Sequence, residues 1–278
     1  MQYWFLGDET NTQAKPGEFF VVGGLVFPLA AIDDIHADMA AIREDRGYGP
    51  GDSLKFDTRA RPKHVSQDDA TDAKRATIEA LSSRGVQMFT YVILQDIAGA
   101  QSEKVRMEWA LNSLALAYDR FLHVDGATGA FMMDRDDSQH KHLASMFQDG
   151  LTMKRGAREL SERIKFFGMT SNNASHLSSA VDVALGGFRY CVNHCVNGTG
   201  NEDVARTIFS PLAQLMYGVT TKTGRYIWDY GYLELPKPVK RPAYASKYDL
   251  LRNQLVSLTT SEGEEPERPA DADESWRT

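Results

Sequence analysis

The order of apolar segments along the chain is the feature that most restricts its fold. Residues 3–9 (YWFLGDE) and 19–27 (FFVVGGLVF) are strand-forming segments joined by a short turn-forming sequence, which predicts a β-hairpin. After this hairpin, segments with helical periodicity alternate with short apolar strands. Such alternation is typical of a layered α/β domain, so the fold class we predict is α/β with a mixed β-sheet flanked by helices.

The apolar periodicity also predicts the individual elements. Helices are expected over residues 29–45, 67–83, 102–123, 138–161 and 174–197, and further strands over 86–94, 129–134 and 164–169. After residue 200 we expect a helix, an aromatic strand or arm, and a last helix. The predicted organisation is therefore an α/β domain over 1–200, a C-terminal extension over 201–258 and a flexible acidic tail over 259–278.

Charge does not identify the partner of this chain. The net charge is −7, but residues 259–278 contain seven acids and only two arginines, so the rest of the chain is near neutral and can present a basic face. Basic residues cluster at 59–64, 154–165 and 237–242, the last beside four aromatic residues: Tyr226, Trp228, Tyr230 and Tyr232. One interpretation is that the basic residues bind nucleic-acid phosphates and the aromatic residues stack on bases. The interpretation that we favour is that the basic residues form a solvated helix face and the aromatic strand packs on the domain.

Several classes of protein receive no support from the sequence. Two cysteines form no disulfide framework, no signal peptide is recognisable, and the longest apolar run is too short to cross a bilayer. We therefore expect a cytoplasmic protein with no membrane partner. A P-loop, a dinucleotide-binding glycine turn and a nucleophile elbow are missing, so nothing favours ATP hydrolysis, nicotinamide chemistry or esterase chemistry.

Acidic residues occur where two predicted strands end. Asp8 and Glu9 end the first strand, Asp134 ends the fourth, and Asp182 lies among small and apolar residues of a predicted helix. Binding sites of open α/β sheets form outside strand ends, and converging carboxylates typically hold a hard cation such as Mg²⁺ or Mn²⁺. Two such ions about 4 Å apart hydrolyse phosphodiesters. The alternatives are that Asp8 and Asp134 cap local turns or helices and that Asp182 is exposed or salt-bridged.

Short motifs in a fixed order carry a family resemblance. YWFLGDET, FFVVGGLVF, SLKF, FMMD and SSAVDVALGGF follow one another over roughly residues 3–195. This set resembles a family catalogued as domain of unknown function 3800, whose members open with a strand ending Asp-Glu-Ser-Gly and continue with a Glu-x-Lys segment. A mid-chain strand ending in Asp and a helix bearing Leu-Gln-x-Ala-Asp follow. The resemblance implies a ribonuclease H-like fold with a two-metal site.

The resemblance also implies roles for individual residues. Asp8 and Glu9 match the first acids of the family, Lys55 its lysine, Asp134 its mid-chain acid and Asp182 its helix acid. In the ribonuclease H-like arrangement, acids of the first strand, the fourth strand and the final helix hold the metal ions. This correspondence makes Asp8, Asp134 and Asp182 the expected metal ligands, Glu9 a further ligand or orienting acid, and Lys55 an electrostatic helper.

The chain also departs from the family pattern. Ser53 stands where the family has the glutamate before its lysine, and Ser179 replaces the helix glutamine. Four acids are candidates for the missing glutamate: Asp52, Asp57, Glu103 and Glu108. We predict a metal-dependent phosphodiesterase, most simply a nuclease acting on DNA or RNA. The alternative is a catalytically inactive ribonuclease H-like binding or assembly module of a phage, mobile-element or defence system, with a protein partner or a homo-oligomer in place of catalysis.

Three potential zinc ligands lie on one helical face, since Cys191, His194 and Cys195 are spaced i, i+3 and i+4. A structural zinc site needs four ligands, so a polar patch on a core-facing helix is the interpretation we favour. Histidines occur at 140 and 142, where one near Asp134 would be a proton shuttle, and at 176, at the start of the helix that carries Asp182.

Overall fold

A computed structural model describes residues 2–10, 14–153, 156–171, 175–259 and 266–269. The ten strands are β1 (Gln2–Thr10), β2 (Phe19–Pro28), β3 (Gln87–Leu94), β4 (Thr128–Asp134), β5 (Leu151–Met153), β6 (Gly156–Arg158), β7 (Ile164–Thr170), β8 (Val219–Thr221), β9 (Gly224–Tyr226) and β10 (Tyr232–Leu235). The helices are α1 (Ile32–Asp45), α2 (Gln67–Ser83), α3 (Gln95–Ala98), α4 (Glu103–Val124), α5 (His140–Gln148), α6 (His176–Asn197), α7 (Glu202–Leu215) and α8 (Pro242–Ser257).

Six strands form one mixed sheet in the order β10-β3-β2-β1-β4-β7. The first three strands in sequence pair antiparallel, which confirms the predicted hairpin, whereas β4 pairs parallel with both β1 and β7. The fold is therefore α/β with a mixed sheet flanked by helices, as the pattern of segments predicts. Because β1, β4 and β7 run in the same direction, their carboxyl ends meet at one edge of the sheet.

Each face of the sheet packs against its own set of helices. One apolar core includes Leu6 of β1 together with side chains of α1, α2, α6, α7 and α8. The other core includes Phe5 of β1 and side chains of α4 and α5. Neighbouring residues of a strand point to opposite faces, so the alternation of Phe5 and Leu6 supplies both cores from one strand. We call these the α6 face and the α4 face.

The helix predicted over residues 138–161 is wrong in its second half. The helix α5 ends at Gln148, and Gly150 follows with a φ of +67°, a left-handed conformation that glycine adopts without a steric penalty. The chain then forms the β5–β6 hairpin, in which Leu151 pairs with Arg158. Residues 154 and 155 at its tip lie outside the described residues. The glycine and the strand-forming residues after it override the helical spacing.

The segment predicted as a C-terminal extension completes the main sheet. Strand β10 pairs parallel with β3, and α7 and α8 contribute Phe209 and Leu255 to the core of the α6 face. Of the predicted tail, Thr259 and residues 266–269 are described, and the N–H of Glu267 donates to Thr223 Oγ1 at 2.7 Å. The other tail residues lie outside the described part of the chain. No helix among the described residues is both long and apolar enough to cross a membrane.

Candidate active site

The pairing of β1 with β4 brings Asp8 and Asp134 together. Gly7 lies opposite Met133 in this parallel pair, so Asp8 and Asp134 follow at the same level of the sheet. Leu6 and Met132, two residues before each acid, pack on the α6 face. Since side chains alternate along a strand, both carboxylates project toward α6.

The helix α6 carries Asp182 to the same place. Glycine at position 23 permits the close approach of this helix, because a Cβ there would lie only 2.9 Å from Leu185 Cδ1. Asp182 Oδ2 accepts the backbone N–H of Phe56 at 2.8 Å. Neither Asp8 nor Asp182 forms a salt bridge with any described residue. The alternative in which Asp182 forms a salt bridge with an arginine is therefore not observed among the described residues.

The cap that begins the turn after β4 is Asp136 and not Asp134. The carboxylate of Asp136 accepts the backbone N–H of Ser138 at 2.9 Å. The capping position is thus occupied by Asp136. The carboxylate of Asp8 accepts the N–H of Glu9 at 2.8 Å, which is a local contact within the strand end.

Negative charge accumulates at Asp8. Burial raises the pKa of Asp8 to about 7, and the nearby charges of Glu9, Asp134 and Asp182 add to the effect, while the hydrogen bond from the Glu9 N–H opposes it. Carboxylate oxygens are the donors that Mg²⁺ and Mn²⁺ prefer, so the residue types fit such an ion. Within the described part of the chain, no three acid, histidine or cysteine side chains already stand at ion-sharing distance. Binding an ion therefore requires the carboxylates to move closer together.

The raised pKa of Asp8 has a consequence for stability. An unfolded aspartate titrates near pH 3.9, whereas Asp8 titrates near pH 7 in the folded chain. The stabilising contribution of protonated Asp8 is thus fully present below about pH 4 and is lost as the pH rises through 7. We expect Asp8→Asn, which remains neutral, to raise the free energy of unfolding at pH 8 by about 2 kcal/mol in metal-free buffer, after discounting for solvent screening.

Urea unfolding of both proteins at pH 8 and pH 5, with a chelator present, measures this effect. The stability gain of Asp8→Asn is expected to narrow at pH 5, where folded wild-type Asp8 is already protonated. An equal difference at both pH values would show that the ionised carboxylate carries no folding penalty.

The structure separates Glu9 from the other three acids. Glu9 follows Asp8 on the strand and lines a cavity of about 600 Å³ on the α4 face. The other lining residues are Glu103, Lys104 and Met107 of α4 and the segment Arg135, Asp136, Asp137, Ser138 and Gln139. Burial raises the pKa of Glu9, and the charges of Asp134, Asp136 and Glu103 add to this. Glu9 and Glu103 therefore form a second acidic group behind the first, and a ligand role for Glu9 stays a prediction.

Comparison with known proteins gives no assignment for this arrangement. The chain matches no protein-family model, no curated protein and no solved structure. The resemblance to domain of unknown function 3800 therefore stays a prediction, and the site has to be interpreted from its own geometry.

The segment that contains Lys55 lies against α6 beside Asp182. Leu54 is fully buried, and the Cβ of Phe56 packs so tightly on Gly186 that a Cβ at position 186 would lie 2.4 Å from it. Lys55 stands between these two anchored residues and is partly exposed. Lys55 is therefore next to Phe56, whose N–H donates to Asp182. This position is compatible with the predicted electrostatic role of Lys55, which stays a prediction.

The packing of Phe56 on Gly186 can be tested directly. We expect Gly186→Ala to destabilise the fold by about 2 kcal/mol, because the added methyl group must displace Phe56 and loosen its N–H bond to Asp182. Gly51→Ala is the matched control, since a Cβ at position 51 meets nothing within 4 Å. Urea unfolding of both variants measures the change. Equal free energies of unfolding for Gly186→Ala and Gly51→Ala would show that the segment around Phe56 rearranges without a loss of stability.

The candidate acids for the missing glutamate have local contacts of their own. Asp52 accepts the N–H of Gly49 and contacts His64, Asp57 accepts the N–H of Arg59, and Glu108 lies 4.0 Å from Lys104. Of the four candidates for the missing glutamate, only Glu103 lines the cavity beside Glu9.

The cysteines of the potential zinc group belong to the core. Cys191 is fully buried and donates its thiol to the carbonyl of Ala205, and Cys195 is 7% exposed. Burial raises the pKa of both thiols, that of Cys195 to about 12. His194 contacts the carbonyl of Thr199 instead. These positions support the polar core-facing patch that the sequence favours.

The histidines have contacts of their own. His142 Nε2 lies 2.7 Å from Asn112 Oδ1 on α4, and burial lowers its pKa. The ring centroid of His176, the first residue of α6, lies 5.5 Å from that of His36. These contacts do not test the predicted proton shuttle at His140 or His142, which stays a prediction.

The aromatic strand packs on the domain, as the favoured interpretation predicts. Tyr226, Trp228 and Tyr232 are buried in the core of the α6 face. Exposed aromatic side chains occur instead at Trp4 (37%) and Phe166 (57%). These two flank Ala130 in one row across β1, β4 and β7, on the same face as Asp8 and Asp134.

Lys74 lies near Asp182 in the folded chain, and the sequence does not reveal this. Lys74 on α2 lies over the ring of Phe56, and Arg61 belongs to the basic cluster at residues 59–64. Nothing in the local pattern of α2 distinguishes Lys74 from its other charged residues. Only the tertiary contact with Phe56 connects Lys74 to the acids.

Proposed function

We propose that the protein is a metal-dependent phosphodiesterase, and specifically a nuclease. One observation carries the proposal: Asp8 and Asp134 lie at adjacent strand ends on the face that packs against α6, and burial together with the charges of Glu9, Asp134 and Asp182 raises the pKa of Asp8 to about 7. An acid with a raised pKa, placed beside further acids at the edge of an α/β sheet, is typical of a catalytic cation site.

The positions of the acids also support a ribonuclease H-like fold. Asp8 lies on the first strand, Asp134 ends the fourth strand, and Asp182 lies on α6, which packs over both β1 and β2. Acids of the first strand, the fourth strand and the final core helix are those that the family resemblance assigns to the metal site. The chain thus agrees with the ribonuclease H-like arrangement in the positions of the three elements that carry the acids, and not merely in one sequence motif.

Each residue has a role in this proposal. Asp8, Asp134 and Asp182 hold the divalent ions, and the N–H of Phe56 fixes the orientation of the Asp182 carboxylate. The ions, Mg²⁺ or Mn²⁺, supply an activated water and a charge partner for the leaving oxygen. Lys55 contributes positive charge toward the phosphate. Glu9 and Glu103 add negative electrostatic potential from the α4 face.

A nucleic-acid substrate is favoured by the open face of the sheet. Trp4 lies four residues before Asp8, or about 13 Å along the strand, on the same face. Aromatic side chains stack on bases regardless of sequence, and such stacking stabilises single-stranded complexes by about 1–3 kcal/mol per base. Trp4 and Phe166 thus provide stacking surfaces within reach of a strand bound at the acids.

Cleavage assays test the proposal. Single-stranded and double-stranded DNA and RNA are incubated with the protein in Mg²⁺, in Mn²⁺ and in chelator. Metal-dependent cleavage of at least one substrate is expected. If none is cleaved while the protein remains folded, the nuclease proposal fails and the inactive binding or assembly module becomes the better account.

A further inference from the structure

Lys74, which lies beside the candidate active site, and Arg61 are two cations that form no salt bridge among the described residues. Lys74 of α2 places its ammonium 5.1 Å from the ring centroid of Phe56. Arg61 donates Nη1 to the backbone carbonyl of Val65, but its Nε is buried and has no hydrogen-bond partner. Neither residue forms a salt bridge with any described acid. Both residues are partly buried, and partly buried cations without ion-paired acids are stabilised by a ligand that supplies negative charge.

The charges that act on Lys74 come from both acids and a second cation. Burial lowers the pKa of Lys74, the charges of Asp57 and Asp182 oppose that shift, and the charge of Arg61 adds to it. Lys74 is therefore within electrostatic range of both a second cation and an acid of the site. A second cation within electrostatic range of Lys74 strengthens the local attraction for an anion.

One residue connects this cation pair to the site. The backbone N–H of Phe56 binds Asp182, and the ring of Phe56 lies under the ammonium of Lys74. The cation–π contact holds the ammonium in place without neutralising it. Lys74 is thus fixed beside the acids with its charge available to a ligand.

From these contacts we propose that Lys74 and Arg61 form a phosphate subsite, which binds a backbone phosphate of a nucleic-acid strand next to the bond that is cleaved. This inference rests on the proposed nuclease function and adds a binding site to it. The ammonium of Lys74 donates hydrogen bonds to non-bridging phosphate oxygens, and the guanidinium of Arg61 adds positive charge. Asp8, Asp134 and Asp182 act at the neighbouring phosphate.

Equilibrium binding tests the subsite separately from catalysis. The probe is a short fluorescein-labelled single-stranded oligonucleotide, titrated by fluorescence anisotropy in chelator over a series of salt concentrations. We expect Lys74→Met to raise Kd about tenfold, because a charge-assisted hydrogen bond is lost. The slope of log Kd against log salt should fall by about 0.7, which corresponds to one phosphate contact on a single strand.

The control variants separate charge from packing. Lys74→Met retains an apolar side chain over Phe56, Lys74→Arg retains the positive charge and is expected to restore most of the affinity, and Lys141→Met removes an exposed lysine of α5 on the α4 face. Arg61→Met is expected to weaken binding as Lys74→Met does. Unchanged Kd and salt slope in a folded Lys74→Met variant, or equal losses in Lys141→Met, would overturn the subsite.

The two proposals fail in different ways. If the wild type cleaves nucleic acid but Lys74→Met binds the oligonucleotide with an unchanged salt slope, the subsite is wrong and the nuclease stands. If binding depends on Lys74 but the wild type cleaves nothing in Mg²⁺ or Mn²⁺, the phosphate subsite stands and the nuclease is wrong.

Discussion

Asp8→Asn is expected to reduce metal-dependent phosphodiester cleavage by about 10³-fold or more. The carboxylate of Asp8 lies within electrostatic range of Asp134 and Asp182, and an amide in its place is a neutral donor that binds a divalent cation poorly. Loss of about 4 kcal/mol of transition-state stabilisation corresponds to that factor. Initial cleavage rates at saturating Mn²⁺, with the best substrate of the wild type, measure the loss.

The same variant provides an internal control, since it is expected to be more stable than the wild type at pH 8. Inactivity of Asp8→Asn therefore could not be attributed to unfolding. Asp72→Asn is a second control, because Asp72 is an exposed residue of α2 whose carboxylate contacts Arg75. Activity of Asp8→Asn within a few-fold of the wild type would contradict the assignment of Asp8 as a metal ligand.

Asp119→Ala is expected to lower the free energy of unfolding by about 3 kcal/mol. Asp119 of α4 is fully buried, and its carboxylate accepts hydrogen bonds from Arg158 Nε at 2.9 Å and Arg163 Nη1 at 3.2 Å. Removing one partner of a buried ion pair typically costs about 3–5 kcal/mol because the remaining charge is left uncompensated. Both arginines retain some exposure and can reach water, which places the expected value at the low end.

Urea unfolding monitored by circular dichroism measures the effect of Asp119→Ala. Glu202→Ala is the matched control, since Glu202 pairs with Arg206 on an exposed helix surface and such pairs contribute about 0.5 kcal/mol. Asp119→Asn should lose less than Asp119→Ala, because the amide oxygen still accepts from one arginine. A loss as small as that of the control would show that the β5–β6 hairpin is not tied to α4 by this carboxylate.

The strands and the longer helices could be predicted because their sequence periods are strong. Residues 19–27 are almost uniformly apolar, and the helix that begins near Ser102 has a side-chain cap from that serine to the N–H of Val105. The β5–β6 hairpin was missed because its residues fit a helical period, while the left-handed Gly150 decides the backbone.

The acids of the site could be found from their positions at strand ends, but their grouping could not. Asp8 and Asp134 become neighbours only because β4 adds beside β1, and Glu9 is turned to the opposite face by strand alternation. Phe56 and Lys74 join the site through contacts between segments far apart in sequence. Tertiary packing, which single-sequence periodicity does not encode, determines these contacts.

Calorimetric titration of Mn²⁺ tests the central claim most directly. The titration uses the wild type and the Asp8→Asn and Asp182→Asn variants, each with and without a phosphorothioate oligonucleotide that resists cleavage. Saturable Mn²⁺ binding by the wild type that is lost in both variants is the predicted result. Absence of binding by the wild type even with the oligonucleotide, or equal binding by all three proteins, would contradict a metal site at Asp8, Asp134 and Asp182.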